Sequence, residues 1–161
     1  MNAVRTAVYS GVLGTAAAIT VATLLARRQG GRGWVPVNAS SHWLLGDDKA
    51  AIDEPDPMVT TIGVATNLLA GVFWGSILAL RLRANPSRSG ADILCEAALV
   101  AGFAGILDYG ILPRRLSPGW EFGLAGSSVA IAFGAMGLGL AGGALASDVS
   151  VNREGARRPT L

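Results

Sequence analysis

The sequence is short of charge, cysteine and histidine, and each shortage excludes a class of protein or site. Charged residues make up 15% of the 161 positions, too few for a water-soluble domain of this length. Cys95 is the only cysteine, so neither an intrachain disulfide nor a multi-cysteine metal site is available. The basic residues form short runs without interleaved aromatic residues, which argues against a nucleic-acid partner. We expect no metal site, and the composition names no cofactor.

Long apolar stretches are what the chain has instead, and 51% of its residues are hydrophobic. A bilayer core about 30 Å thick needs roughly 20 apolar residues in a helix. Four stretches reach that length, at residues 6–26, 59–80, 91–112 and 122–146. We therefore predict an all-α integral membrane four-helix bundle in the lipid bilayer, a single domain over residues 1–161 with a flexible tail at residues 147–161.

The first connection, residues 27–58, is long for a protein of this size. Its middle part, "WVPVNASSHWLLG", is apolar and aromatic and holds the single histidine, His42. Asn38 or Ser40 is expected to N-cap a short helix that carries His42 and ends at Gly46. Because tryptophan favours the headgroup level of a bilayer, we expect this helix to lie at the membrane surface.

The order of four spans places the first and third connections on the same side of the membrane. This arrangement predicts a candidate binding face made of Asn38, His42, Trp43, Asp47, Asp108, Arg114, Arg115 and Glu121. An aromatic belt with flanking cations explains the same residues without a ligand, and it is the simpler interpretation. If the short helix folds over the end of the bundle, His42 and Trp43 should approach the third connection.

The same two connections carry a resemblance. The segments "GWVPVNASSHWLLGDDKA" and "DYGILPRRLSPGWE" are similar to a pattern in small, uncharacterised four-span membrane proteins of proteobacteria, which implies an architecture and a site location but no activity. The matching positions are Pro36, Asn38, Ala39, Ser41, His42, Trp43, Gly46, Asp108, Pro113, Arg114, Arg115, Leu116, Ser117, Pro118, Gly119 and Glu121. That family tends to carry a histidine in the second span, where this sequence has Asn67, and the difference argues against a two-histidine metal or haem site.

Polar side chains inside the predicted spans are Asn67, Glu96 and Ser128. An ionisable group at membrane depth must be neutral, paired or in contact with a wet interior, so Glu96 is a candidate for proton or cation handling. A structural role is the alternative, in which Glu96 reaches the headgroups or bonds a neighbouring helix. We expect Asp108 to pair with Arg114 or Arg115 across the turn.

Glycine pairs at four-residue spacing indicate close helix contacts. They are Gly71 with Gly75 and Gly139 with Gly143, a pattern that lets helix backbones approach each other. A glycine-rich fourth helix serves the bundle itself or forms a flat face for another subunit. Other membrane subunits or a second copy of the chain are therefore expected partners.

The motifs leave three classes of function open. No catalytic constellation occurs at a convincing spacing, so an enzyme is the less supported class. The preferred interpretation is a non-catalytic subunit or scaffold of a membrane complex. The alternative is a small-solute or proton-linked carrier acting as an oligomer, with Asn67, Glu96 and Ser128 along its path and His42 at its mouth. An enzyme or cofactor binder at the His42 face is the third class.

The distribution of basic residues gives a weak orientation. With the N-terminus inside, seven basic residues lie on the cytoplasmic side and six lie outside. The seven include Arg88, Arg157 and Arg158. We predict a multi-pass protein of the cell inner membrane with cytoplasmic termini.

Overall fold

The computed structural model describes residues 2–84 and 89–156, and this part of the chain is all-helical, without a strand. Four helices are long and apolar enough to cross a membrane. They are α1 (Ala3–Arg28), α2 (Pro57–Ala84), α3 (Gly90–Ile106) and α4 (Gly126–Ala156). A π-helical turn at Leu107–Ile111 continues α3, so that the third span runs over Gly90–Ile111. The prediction of an all-helical chain with four helices of membrane-spanning length is thereby confirmed.

Single helical turns make up much of the first and third connections. The first connection holds α-helical turns at Val35–Asn38, His42–Leu45 and Asp47–Ala50 and a 3₁₀ turn at Ala39–Ser41. The third holds a π-helical turn at Leu107–Ile111 and 3₁₀ turns at Arg114–Leu116 and Trp120–Phe122. We call residues 34–46 the cap segment and residues 113–123 the third connection.

Local side chains set several helix boundaries. Asn2 begins α1 by accepting hydrogen bonds from the backbone of Val4 and Arg5, and Ser89 with Asp92 forms a capping box at the start of α3. The α4 helix begins four residues later than the predicted span, because Phe122 belongs to a 3₁₀ turn.

The predicted tail at residues 147–161 begins as a helix, since α4 continues to Ala156. Residues 157–161 lie outside the described residues. So do Arg88, Arg157 and Arg158, which were counted for orientation.

Sequential helices pack side by side in antiparallel order, with α1 against both α2 and α4, and α3 against both α4 and α2. The contact between α1 and α4 is the most extensive one. At the end of these helices that lies away from the first and third connections, the Oγ1 of Thr6 is 2.9 Å from the Oγ of Ser147. Buried leucines and small residues fill the centre of the packing, including Leu78, Leu82 and Leu140.

The glycines expected at helix contacts lie against α1. A Cβ atom added to Gly139 would come within 2.8 Å of the Cα of Gly14, and one added to Gly143 within 2.5 Å of the backbone nitrogen of Ser10. A Cβ atom added to Gly71 would lie 2.7 Å from the carbonyl oxygen of Gly11, and one added to Gly75 would lie 2.7 Å from its backbone nitrogen. None of these positions has room for a side chain without a backbone shift.

The cap segment is helical from Val35, not from residue 39 or 41 as the predicted N-caps require. Pro36 stands in the first turn, where its missing N–H leaves no bond unmade, and neither Asn38 nor Ser40 caps a turn. The side chains of Asn38 and Ser40 instead bond groups outside the segment. The predicted end at Gly46 is found, with a φ of +91° that favours glycine.

Candidate functional site

The cap segment and the third connection meet over one end of the four helices, which we call the capped end. The hydroxyl of Ser40 donates to the carbonyl of Pro118 at 3.0 Å, and the Nε2 of His42 lies 2.9 Å from the carbonyl oxygen of Ser117. The predicted approach of His42 to the third connection is confirmed. Gly119 permits this approach, because its φ is +76° and a Cβ atom there would lie 3.0 Å from the carbonyl oxygen of Ala39.

The buried side chain of His42 links the first connection to the third. Its side chain is fully buried, with Nδ1 3.1 Å from the carboxylate of Asp47. A carbonyl oxygen can only accept, so the Nε2 of His42 carries a proton in its contact with Ser117. The ring also meets Phe122 edge-on, with 5.6 Å between centroids. With both nitrogens engaged, this histidine is not available to a ligand.

Two asparagines fasten the cap segment to its neighbours. The amide nitrogen of Asn38 donates to the carbonyls of Ile52 and Glu54 at 2.8 and 2.9 Å, and its oxygen accepts from Thr60 at 2.7 Å. The oxygen of Asn67 accepts from the hydroxyl of Ser40 at 3.1 Å. Buried amides with these partners stabilise the arrangement, since an unmade bond there costs about 1–3 kcal/mol.

Asp53, which the sequence did not single out, orders the start of the cap segment. Its carboxylate accepts from the backbone N–H groups of Arg32, Trp34 and Val35, at 2.7 Å for Trp34. Burial acts to raise the pKa of Asp53, but the backbone hydrogen bonds together hold it below its usual value of 3.8. The acidic, turn-rich run around it was the available signal.

The charged residues of the third connection are occupied locally. The Nε of Arg114 lies 3.6 Å from Glu121, and the Arg114 guanidinium stands over the Phe122 ring at 4.7 Å from its centroid. Arg115 donates to the carbonyl of Trp43 at 3.4 Å. The expected pairing of Asp108 with Arg114 or Arg115 is wrong within the described residues, because Glu121 takes Arg114 instead.

Beneath the capped end, between the helices, lies a cavity of about 440 Å³. Its walls come from α1, α2, the end of α3, α4 and both connections. The lining is mainly apolar and includes five aromatic side chains, those of Trp43, Phe73, Trp74, Trp120 and Phe133. The cap segment forms one wall, where the Nε1 of Trp43 donates to the hydroxyl of Thr66 at 3.1 Å. An apolar cavity with a few placed polar groups is the usual form of a small-molecule site.

The polar side chains around the cavity differ in whether they already have hydrogen-bond partners within the protein. Ser40, Asn67 and Ser117 also line it, but their side chains bond other protein groups. Asp108 lies on the wall as well, in the π-helical turn that ends α3. Within the described part of the chain, no group donates a hydrogen bond to its carboxylate. Asp108 is therefore the charged side chain that can meet a guest, and the Nε1 of Trp120 is a buried donor on the same wall with no partner in the described part of the chain.

The residues proposed for a carrier path do not come together. Glu96 pairs with Arg81 near the opposite end of α3, and Ser128 accepts from the amide of Gln29 at 2.6 Å. Neither of them lines the cavity, whereas Asn67 does. The four residues Asn67, Glu96, Ser128 and His42 thus form no continuous polar route in this structure.

A second concavity of about 720 Å³ runs along the outer side of α3 and α4. Small residues make up much of its lining, among them Ala98, Gly102, Ala130 and Gly134. Nothing lies within 4 Å of a Cβ atom built on Gly102 or Gly134, in contrast to the glycines that face α1. We call this feature the α3–α4 groove.

Comparison with known proteins does not extend these observations. The chain matches no family model, no curated protein sequence and no solved structure.

Sequence reasoning did not identify the cavity itself. Thr66, Phe73 and Phe133 line it and were not proposed as site residues. The run "VFWG" in the second span was a signal, because adjacent aromatic residues at membrane depth have to face a lipid, a helix or a ligand.

Proposed function

We propose that the chain is an integral protein of a bacterial inner membrane, crossed by its four long helices as a bundle. The outer faces of these helices carry large apolar side chains, with exposures of 73% for Leu69, 63% for Ile106 and 65% for Leu138. Surfaces of this kind suit a lipid environment better than water. The resemblance of the two connections to small four-span proteins of proteobacteria points the same way. We place both termini in the cytoplasm and the capped end outside, on the balance of basic residues.

We propose further that the protein is non-catalytic and binds a small, largely apolar molecule in the cavity beneath the capped end. The observation that carries this proposal is the cavity itself, which five aromatic side chains help to line and which the hydrogen-bonded cap segment bounds on one side. Anchoring of the cap by buried bonds keeps the walls in place before a ligand arrives. A preformed site of this kind avoids part of the ordering cost of binding.

A cavity-filling substitution tests this binding function. Ala70 lines the cavity, so Ala70→Phe should occupy its space and expel the guest. Ala65→Phe is the matched control, since Ala65 is exposed on the same helix and does not line the cavity. The three proteins are purified from membranes in a mild detergent, and the small molecules that accompany each are identified by mass spectrometry.

The expected result is a compound enriched with the wild type and with Ala65→Phe but at least about tenfold depleted with Ala70→Phe, as for a ligand losing its pocket. Equal recovery of every compound from all three proteins would refute binding in this cavity.

A second candidate function is self-association through the α3–α4 groove, which would make the protein a scaffold. Large exposed side chains also border the groove, including Leu94, Ile106 and Leu138. A face with both a groove and ridges can pair with its own copy about a two-fold axis.

A further inference from the structure

The cavity beneath the capped end has one sign of charge. Among the described residues that line it, Asp108 is the only charged one, and no arginine, lysine or histidine joins it. The arginines of the third connection bind other partners: Arg114 pairs with Glu121, and Arg115 donates to the carbonyl of Trp43. A guest in the cavity therefore meets a single carboxylate and no positive group.

The backbone brings Asp108 to this wall by a local change of helix type. The α-helix α3 ends at Ile106, and residues Leu107–Ile111 continue as a π-helical turn. Turns of this type are rare and occur frequently at functional sites. The carboxylate on this turn accepts no hydrogen bond within the described chain, although an ionised acid at membrane depth requires compensation.

Aromatic side chains line the same space from several elements of the chain. The α2 helix contributes Phe73 and Trp74, with 5.1 Å between their centroids. The third connection and α4 contribute Trp120 and Phe133, with 5.3 Å between their ring centroids, and the cap segment adds Trp43. The negative faces of aromatic rings attract cations, and the attraction grows when water is excluded.

From this juxtaposition we infer that the cavity binds an organic monocation, an ammonium compound with an apolar body, and that Asp108 supplies its counter-charge. The inference rests on the proposed binding function and specifies its ligand class. An anionic guest would face the Asp108 carboxylate with no cation to offset it. A neutral guest would leave that carboxylate without a partner.

A pair of probes of the same shape isolates the charge. Benzyltrimethylammonium and neopentylbenzene differ only in a quaternary nitrogen replaced by carbon. Their affinities are measured from the concentration dependence of the thermal unfolding midpoint in a nonionic detergent, because a ligand of the folded state raises it. The occluded Ala70→Phe protein gives the background for partition into detergent. Asp108→Asn is compared with Asp48→Asn, which removes one exposed carboxylate that does not line the cavity.

The inference predicts that the wild type binds the cation at least about tenfold more tightly than the neutral probe, as expected for a charge-assisted contact. Asp108→Asn should lose this preference, and Asp48→Asn should keep it. If Asp108→Asn does not fold, the choice of a cation is still tested by the wild type, whose binding of the cationic probe over the neutral one is measured against the Ala70→Phe background.

Equal binding of both probes to the wild type would overturn the choice of a cation and leave the binding function intact. Retention of the preference in a folded Asp108→Asn protein would overturn the role of Asp108. If neither probe binds the wild type above the Ala70→Phe background, the inference fails. The binding function is then tested only by the compounds that co-purify with the wild type, Ala65→Phe and Ala70→Phe.

Discussion

At the scale of single residues, most of the polar side chains at the capped end act within the protein. Asn38 and His42 each hold two or more hydrogen bonds to other parts of the chain. Their burial explains this, because a buried polar group without a partner is costly. Asp108, a partly buried carboxylate on the cavity wall, accepts no hydrogen bond from the described residues, so a ligand is its natural partner.

Asp53 gives the protein a pH dependence that can be measured at this scale. Its pKa is lowered in the folded state by backbone hydrogen bonds, so the stability it adds is fully present above its unfolded value of 3.8 and is lost as the pH falls through the lower folded value. Asp53→Asn keeps one acceptor oxygen but cannot accept from both Arg32 and Trp34. We expect it to destabilise the protein by about 1 kcal/mol at neutral pH.

The measurement is thermal unfolding in detergent from neutral pH to below 3.8. The wild type should lose more stability than Asp53→Asn as the pH crosses the window below 3.8. Asp48→Asn is the control, since Asp48 is an exposed acid of the same connection. Parallel curves for the wild type and Asp53→Asn would remove Asp53 from the acid response.

At the scale of helices, the long apolar stretches were predictable because length and hydropathy determine them. Their ends were less so: the start of α4 depends on the 3₁₀ turn at Trp120–Phe122, and the start of the cap segment depends on tertiary partners of Asn38. A capping residue can be recognised by type, but whether it caps is decided by what else it can bond. The sequence alone does not contain those competing partners.

Gly139 tests the close packing of α4 on α1. Gly139→Leu should destabilise the protein by at least about 1–3 kcal/mol, because any side chain must push the backbone of Leu13 and Gly14 away. Gly142→Leu serves as the control, since a Cβ atom at Gly142 meets nothing within 4 Å on the same helix. Thermal unfolding in detergent compares the two. Equal stability of both variants would mean that α4 does not approach α1 in this way.

At the scale of the whole molecule, the capped end and the opposite end differ in kind. The sequence indicated this difference, because both aromatic connections fall on one side of four spans. The cavity was not predictable in the same manner. It is assembled from six parts of the chain, and Trp74 or Phe133 could equally have faced lipid as far as the hydrophobic pattern shows.

Self-association through the α3–α4 groove is the prediction that belongs to the whole molecule. Gly134 lies in the groove with open space around it, so Gly134→Leu should fill the groove of each copy while leaving its own fold intact. Gly142→Leu adds the same side chain to the same helix outside the groove and should not affect pairing.

We expect light scattering in a mild detergent to give a dimer for the wild type and Gly142→Leu, and a monomer for Gly134→Leu. Because each copy contributes the same face twice in a two-fold contact, one substitution alters both halves of the interface. A monomeric wild type in detergent, together with no crosslinked dimer in native membranes, would exclude the groove as a self-association surface and leave it to lipid chains.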